Sequence, residues 1–336
     1  MTARVARRAL FKGITENEMR IVVLDGYVLN PGDNPWDELA ALGELTVYPR
    51  TEAGLIVERA GRAEVVLTNK TPLTAETIGK LDALRLIAVL ATGYNVVDVA
   101  AARGRGIAVS NVPTYGTDSV AQFVFALLLE LCHHVGRHDA LVKAGEWARR
   151  GEFSFWDAPL VELAGLRMGI VGFGRIGRRV GELAHAFGMD VLAYDPADFD
   201  PPDYAPFARA SLEEVIGTAD VVSLHCPLTE ENAGMVGRKM LGRMKPSAFL
   251  INTARGGLVN EADLREALDA GRIAAAAVDV VSAEPIAPDN PLLGAANCLI
   301  TPHVAWASLS ARRRLMRTTV GNVKAYLRGE PGNVVN

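Results

Sequence analysis

Cysteine is scarce in this chain. Its 336 residues hold three, Cys132, Cys226 and Cys298, far apart and without paired spacing. Neither a disulfide framework nor a zinc site is expected, and a reducing, cytoplasmic setting fits. Charge of one sign is also lacking: 35 basic residues against 39 acidic ones leave a net charge of -4. That balance excludes the broad basic face that holds nucleic acid, while leaving room for a local pocket that binds a small anion. Long apolar runs are missing as well. The strongest, around Phe123 to Cys132, contains Glu130 and is too short to cross a bilayer, so no membrane association is expected. The six histidines show no metal-ligand spacing, and no metal is expected. No solenoid repeat or low-complexity segment occurs. What is abundant is apolar sequence, 49% of the chain, enough for two domain-sized cores.

Residues 1–18 begin basic, with Arg4, Arg7, Arg8 and Lys12, before Glu16 and Glu18; they read as an extension ahead of Met19 with a weak match to organelle-targeting composition. From Met19 a strand–helix alternation starts. Strands are expected at Ile21–Asp25, Leu45–Tyr48, Glu64–Thr68, Leu86–Leu90 and Ile107–Ser110, with helices at Trp36–Leu42, Thr51–Ala60 and Thr74–Lys80. A long, largely buried helix follows over Thr117 to His134. Gly145 to Pro159, with Trp147, Phe153, Phe155 and Trp156, reads as an irregular wrap against a neighbour. A second series begins at Arg167, with strands at Met168–Val171, Asp190–Tyr194, Val221–His225, Ala248–Asn252, Ala274–Asp279 and Cys298–Thr301. Helices at Arg175–Phe187 and Glu261–Ala270 lie between them. Each series implies a parallel sheet covered on both faces. The amphipathic helix over Leu309 to Leu327 is expected to return to the first domain. That gives a discontinuous domain, 19–115 plus 303–336, around an inserted one, 116–302.

Gly172-Phe173-Gly174-Arg175-Ile176-Gly177 follows a strand and opens a helix. Gly172 permits the tight turn, Gly174 lets the backbone approach a pyrophosphate at the positive helix N-terminus, and Gly177 lets helix and strand pack closely. Asp195 ends the next strand eighteen residues after Gly177, about where an acid meets the adenosine ribose hydroxyls. A carboxylate there repels a 2′-phosphate, so NAD is expected rather than NADP. Glycines also serve ordinary turns, and an Asp can cap a helix; strand, loop, helix and acid together carry the dinucleotide reading.

Three late motifs end strands of the second series: Asn252-Thr253-Ala254-Arg255-Gly256-Gly257, Asp279-Val280-Val281-Ser282-Ala283-Glu284-Pro285, and Thr301-Pro302-His303-Val304-Ala305-Trp306. In a doubly wound sheet such ends share one edge. Reducing a ketone requires hydride at carbon and a proton on oxygen. His303 is a proton donor near neutral pH. Glu284 stabilises its imidazolium, and Arg255 offers a planar fork to a carboxylate. Singly, each has a structural alternative: a strand-end cap, a loop acid, an ordinary salt bridge. His225 reads as a structural group near the cofactor.

With these motifs and Leu224-His225-Cys226-Pro227-Leu228-Thr229, the chain from Met19 onward resembles the D-isomer-specific 2-hydroxyacid dehydrogenase family. The resemblance implies an α/β fold of two doubly wound parallel-sheet domains: a flavodoxin-like split substrate domain and an inserted Rossmann NAD-binding domain, usually joined with a second copy through the NAD domains as a homodimer. It implies that Arg255 anchors a 2-oxo acid, His303 is the acid/base and Glu284 holds His303. Gly172, Gly174, Arg175, Ile176 and Gly177 would cover the pyrophosphate, Asp195 would take the ribose, and Cys226 and Pro227 would line the adenosine side. Thr253, Ala254, Asp279 and Thr117 would meet the nicotinamide end, with Arg255, His303 and Trp306 beside them. In Ala91-Thr92-Gly93-Tyr94-Asn95, the Thr92–Gly93 amides would cradle the substrate carboxylate, Thr92 would also touch cofactor, and Tyr94 and Trp306 would border the substrate.

Within the family, Thr68-Asn69-Lys70-Thr71-Pro72-Leu73-Thr74, the Thr92 loop and His303-Val304-Ala305-Trp306-Ala307 look most like glycerate dehydrogenases (hydroxypyruvate reductases). Hydroxypyruvate or glyoxylate is the favoured substrate. Two other readings stand beside it: a non-catalytic NAD(H) sensor of corepressor type, and a relative acting on another anion. Formate enzymes of this kind usually place Gln where Glu284 stands.

Overall fold

The computed structural model describes residues 19–336; the extension read at residues 1–18 lies outside the described residues. The chain divides into two units. One comprises the residues through Gly116 together with Ala307–Asn336, the other Thr117–Trp306.

The first unit is built on β1 (Arg20–Val23), β2 (Glu44–Val47), β3 (Val65–Thr68), β4 (Leu86–Val89) and β5 (Ala108–Ser110), all parallel in the order β2-β1-β3-β4-β5. Every residue of β3 and β4 is buried, as expected of central strands covered on both faces, whereas the edge strand β2 alternates exposed and half-buried positions. The Leu309–Leu327 helix packs on β4 and buries Ala311, Leu315, Met316, Val320 and Val323. Arg312 pairs with both carboxylate oxygens of Asp33, and Asn336 bonds the backbone at Ile107 and Val109, so the last residues lie along β5.

Two expected helices are shorter than the periodicity predicts. Trp36–Leu42 yields one α-helical turn, Asp37–Ala40. In Thr51–Ala60 the α-helix starts only at Ile56, after a 3-10 turn at Ala53–Leu55. The Thr51 hydroxyl donates to Leu24 O (2.5 Å) and the Arg59 guanidinium to Arg50 O (2.6 Å), which holds residues 50–51 out of a helix.

The second unit carries β6 (Arg167–Val171), β7 (Asp190–Tyr194), β8 (Phe207–Arg209), β9 (Val221–Leu224), β10 (Phe249–Asn252), β11 (Ala275–Val278) and β12 (Cys298–Ile300). All are parallel, ordered β12-β11-β10-β9-β6-β7-β8. Side chains alternate between the two sheet faces, so Val222, Leu250 and Ala276 enter one core while Val221, Ile251 and Ala277 enter the other. The second core is closed by Val124 and Leu128 of the Thr117–His133 helix and by Val180 and Ala184 of the Arg175–Ala186 helix. The stretch read as an irregular wrap contains one helical turn, Glu146–Arg150, and a helix at Val135–Lys143 precedes it. Among the described residues, no single helix is long and apolar enough to cross a membrane. The chain leaves β6 toward β7 on one side and reaches β9 on the other, which opens a crevice at the strand ends.

Candidate active site

The ladder register lines up the strand ends of the second unit. Tyr194 pairs with Val171, Val171 with Leu224, Leu224 with Asn252, Asn252 with Val278, and Val278 with Ile300. The residues just beyond therefore follow one another along one edge: Asp195, Gly172, His225–Cys226, Thr253–Arg255, Asp279 and Thr301–His303.

Glycine is required at two points of the first turn. Gly172 adopts φ +97°, and a Cβ there would fall 2.5 Å from Cys226 N and 2.7 Å from His225 C. A Cβ on Gly177 would fall 2.1 Å from Gly172 O. Gly174 caps the Arg175–Ala186 helix with no side-chain bond, and nothing lies within 4 Å of where its Cβ would be, so the helix N-terminus is bordered by open space. Asp195 braces this loop: Oδ2 accepts Phe173 N (2.8 Å) and Oδ1 accepts Ala197 N (2.9 Å). Each oxygen keeps further acceptor capacity for ribose hydroxyls. At the end of β10 the Thr253 hydroxyl is buried without a hydrogen-bond partner in this structure, a cost that a polar ligand group would relieve. An open cradle at a helix N-terminus, an acid beside it and a buried orphan hydroxyl fit a dinucleotide.

Burial raises the Cys226 thiol above its ordinary value and pushes the His225 imidazole down to about 3. His225 is thus neutral at physiological pH, with Nε2 at 2.8 Å from Ser223 Oγ. This agrees with a structural role for His225.

His303 and Glu284 meet. His303 Nδ1 lies 2.6 Å from Glu284 Oε2, and both side chains keep about a third of their surface exposed (28% and 32%), within reach of a ligand. Glu284 Oε1 also accepts Val281 N at 3.3 Å. His303 has a left-handed φ of +54°, a conformation that persists in a non-glycine residue only where its surroundings enforce it. Asp279 supplies the enforcement. Its carbonyl accepts His303 N (2.8 Å); its Oδ1 accepts Thr301 Oγ1 (2.6 Å) and Val304 N (2.9 Å), and Oδ2 accepts Ala305 N (2.8 Å). The residue expected at the nicotinamide end thus also holds the His303 loop. Ser119, in the first turn of the helix that Thr117 begins, donates to Ala305 O at 2.8 Å.

Arg255 is exposed at the end of β10, its Nη1 donating to Ala254 O at 2.7 Å. Asn252, fully buried, shapes that turn by donating to Arg255 O and accepting Ala254 N. Pro227 is exposed, while Ile176, Ala254 and Trp306 are half-buried. Thr92, Gly93 and Tyr94 belong to the first unit. There the Thr92 hydroxyl donates to Val112 O (2.8 Å), Asn111 donates to Thr92 O (2.7 Å), and Tyr94 is 39% exposed. Sequence reasoning missed Asn252 as a turn-former and gave Glu261 no role beyond starting a helix. An Asn two residues before Ala254, able to accept its N–H, was the available signal for the first.

Residues 125–305 match the family described as D-isomer specific 2-hydroxyacid dehydrogenase, NAD binding domain. The chain is 50% identical to the hydroxypyruvate reductase of Blautia hydrogenotrophica over 95% of its own length and 100% of that protein's. It is 42% identical to the glycerate dehydrogenase of Methylorubrum extorquens, over 83% and 88% of the two chains. Its fold matches the D-lactate dehydrogenase of Aquifex aeolicus, solved with NAD and lactic acid, at a TM-score of 0.80 and 30% identity, covering 94% and 98%.

Proposed function

The chain belongs to the D-isomer-specific 2-hydroxyacid dehydrogenase family, and from that membership we propose that it interconverts hydroxypyruvate or glyoxylate and the corresponding D-2-hydroxy acid, with His303 as the acid/base. It is a D-2-hydroxyacid dehydrogenase, and NAD is its cofactor. The choice of hydroxypyruvate is supported by the 50% identity to a hydroxypyruvate reductase along nearly the whole chain. The observation that carries the chemistry is the 2.6 Å contact of His303 Nδ1 with Glu284.

When bound, the cofactor supplies the hydride that reduces the 2-oxo carbon. Gly172, Gly174 and Gly177 make room for its pyrophosphate, Asp195 takes the ribose and disfavours a 2′-phosphate by charge, and Thr253 and Asp279 serve the nicotinamide end. Arg255 pairs with the substrate carboxylate and polarises the neighbouring carbonyl. With Nδ1 committed to Glu284, Nε2 of His303 is the nitrogen that exchanges the proton. It gives the proton to the carbonyl oxygen in reduction and recovers it from the hydroxyl in oxidation, while the Glu284 carboxylate stabilises the imidazolium. The substrate roles of Thr92, Gly93, Tyr94 and Trp306, and the cofactor role of Thr117, rest on the resemblance of their motifs. A homodimer is part of the proposal, supported by the exposed Val135, Trp147, Phe153, Trp156 and Leu160 of the second unit.

The test is NADH oxidation with hydroxypyruvate, glyoxylate, pyruvate and phenylpyruvate in parallel, for the natural chain and for His303→Ala. Hydroxypyruvate or glyoxylate should lead. His303→Ala should lose roughly 10²–10⁴ in turnover while still binding NADH. Full turnover by His303→Ala would remove the acid/base assignment.

A further inference from the structure

Glu284 lies in a connection without regular structure between β11 and the 3-10 turn at Pro291–Gly294. Its meeting with His303 depends on the course of that connection. Glu261, the first residue of the Glu261–Asp269 helix, grips it. One carboxylate oxygen accepts Ser282 N at 2.6 Å; the other accepts Ser282 Oγ at 2.8 Å and Asn290 Nδ2 at 2.9 Å. The grip falls on both sides of Glu284. The helix that presents Glu261 is itself anchored: Asn260 caps it by accepting Asp263 N at 3.1 Å, and Leu264 and Leu268 enter the core. A first-turn glutamate commonly serves its own helix, through the macrodipole or a capping bond. Here all three bonds leave the helix for the Glu284 connection. Behind the connection, Gly256 abuts Val281 and Ser282 so closely that the chain cannot retreat in that direction.

We propose that Glu261 is a positioning residue for the acid/base pair. It sets Glu284 against His303 without touching substrate, cofactor or the reacting atoms. This rests on the reading of His303 and Glu284 given above.

The test compares Glu261→Ala, Ser282→Ala and Glu284→Gln in the full chain with NADH and hydroxypyruvate. The readouts are kcat, KM, NADH affinity, melting temperature and the far-downfield proton resonance of the Glu284–His303 hydrogen bond. Glu261→Ala should lower kcat about 10- to 100-fold, the cost of a misplacement on the order of 1 Å. It should lose the resonance, with KM and NADH affinity unchanged. Ser282→Ala, which removes one bond of the three, should retain the resonance and most of kcat. If Glu261→Ala fails to fold, the double variant Ser282→Ala/Asn290→Ala strips two bonds from the same grip and should lower kcat with the same signature. If Glu284→Gln lowers kcat and Glu261→Ala leaves both kcat and the resonance intact, the positioning role is overturned and the pair stands. If Glu284→Gln itself changes neither, the pair reading falls and takes this proposal with it. A kcat loss in Glu261→Ala matched by equal losses in NADH affinity and melting temperature would mark a merely structural residue and also overturn the proposal.

Discussion

Gly256→Ala tests whether the Arg255 turn and the Glu284 connection act as one assembly. A Cβ at Gly256 would fall 1.9 Å from Val281 C, 2.1 Å from Val281 O and 2.5 Å from Ser282 N, where ordinary contact begins near 3.4 Å. All three atoms are backbone, so no side-chain rotation relieves the crowding. One of the two strands of chain must move by about 1.5 Å, the shortfall between those distances. A shift of that size at Val281–Ser282 carries the Val281 N–H away from Glu284 and pulls on the two Ser282 bonds to Glu261. A 2.6 Å bond between Glu284 and His303 does not survive it. The expected outcome is a kcat loss of about 10²-fold and an overpacking cost of about 1–3 kcal/mol. Steady-state turnover with hydroxypyruvate measures the first and urea unfolding the second. Gly257→Ala is the control. Its Cβ would meet Leu228 Cδ2 at 2.8 Å, the tip of a flexible side chain that is 42% exposed and can swing away, so activity should persist. If Gly256→Ala and Gly257→Ala turn over alike, the crowding argument is refuted.

His225 ties stability to acid. Burial lowers its pKa from 6.5 to about 3, so between those values the unfolded chain takes up a proton that the native chain refuses. The stability contributed is complete above pH 6.5 and falls as pH drops toward 3, at about 1.4 kcal/mol per pH unit. His225→Gln should flatten the change in urea midpoint between pH 7 and pH 5 relative to the natural chain; parallel slopes would contradict the assignment. The exposed aromatic surface predicts self-association. Phe153, 94% exposed, and Trp156, 64% exposed, changed together to Ser, should convert a dimer to a monomer in sedimentation velocity. A natural chain that is already monomeric, or a variant that remains dimeric, would rule this surface out.

The parts of the fold legible in the sequence are those with local causes. The Gly172–Gly177 loop was readable because a tight turn, a close backbone approach and a close helix contact each exclude a side chain at a set spacing. Central strands were readable because burial on both faces demands unbroken apolar runs, as in β4 and β11. The edge strand β8 was not, since Phe207–Arg209 is short and mostly exposed and becomes a strand only by pairing with β7. Helix starts were misjudged where a distant partner intervened, as when Leu24 O takes the Thr51 hydroxyl.

The site divides in the same way. Arg255, Glu284 and His303 were singled out as candidates by residue type and by their place at strand ends. The meeting of Glu284 and His303 was expected from their motifs, but its 2.6 Å geometry, the hold of Asp279 on the left-handed His303 loop and the grip of Glu261 on the Glu284 connection were decided by tertiary structure. Periodicity and residue type record what is buried and which chemistry is at hand. A hydrogen bond needs its two ends within about 3 Å, and for residues tens of positions apart that placement comes from how the strands and helices pack.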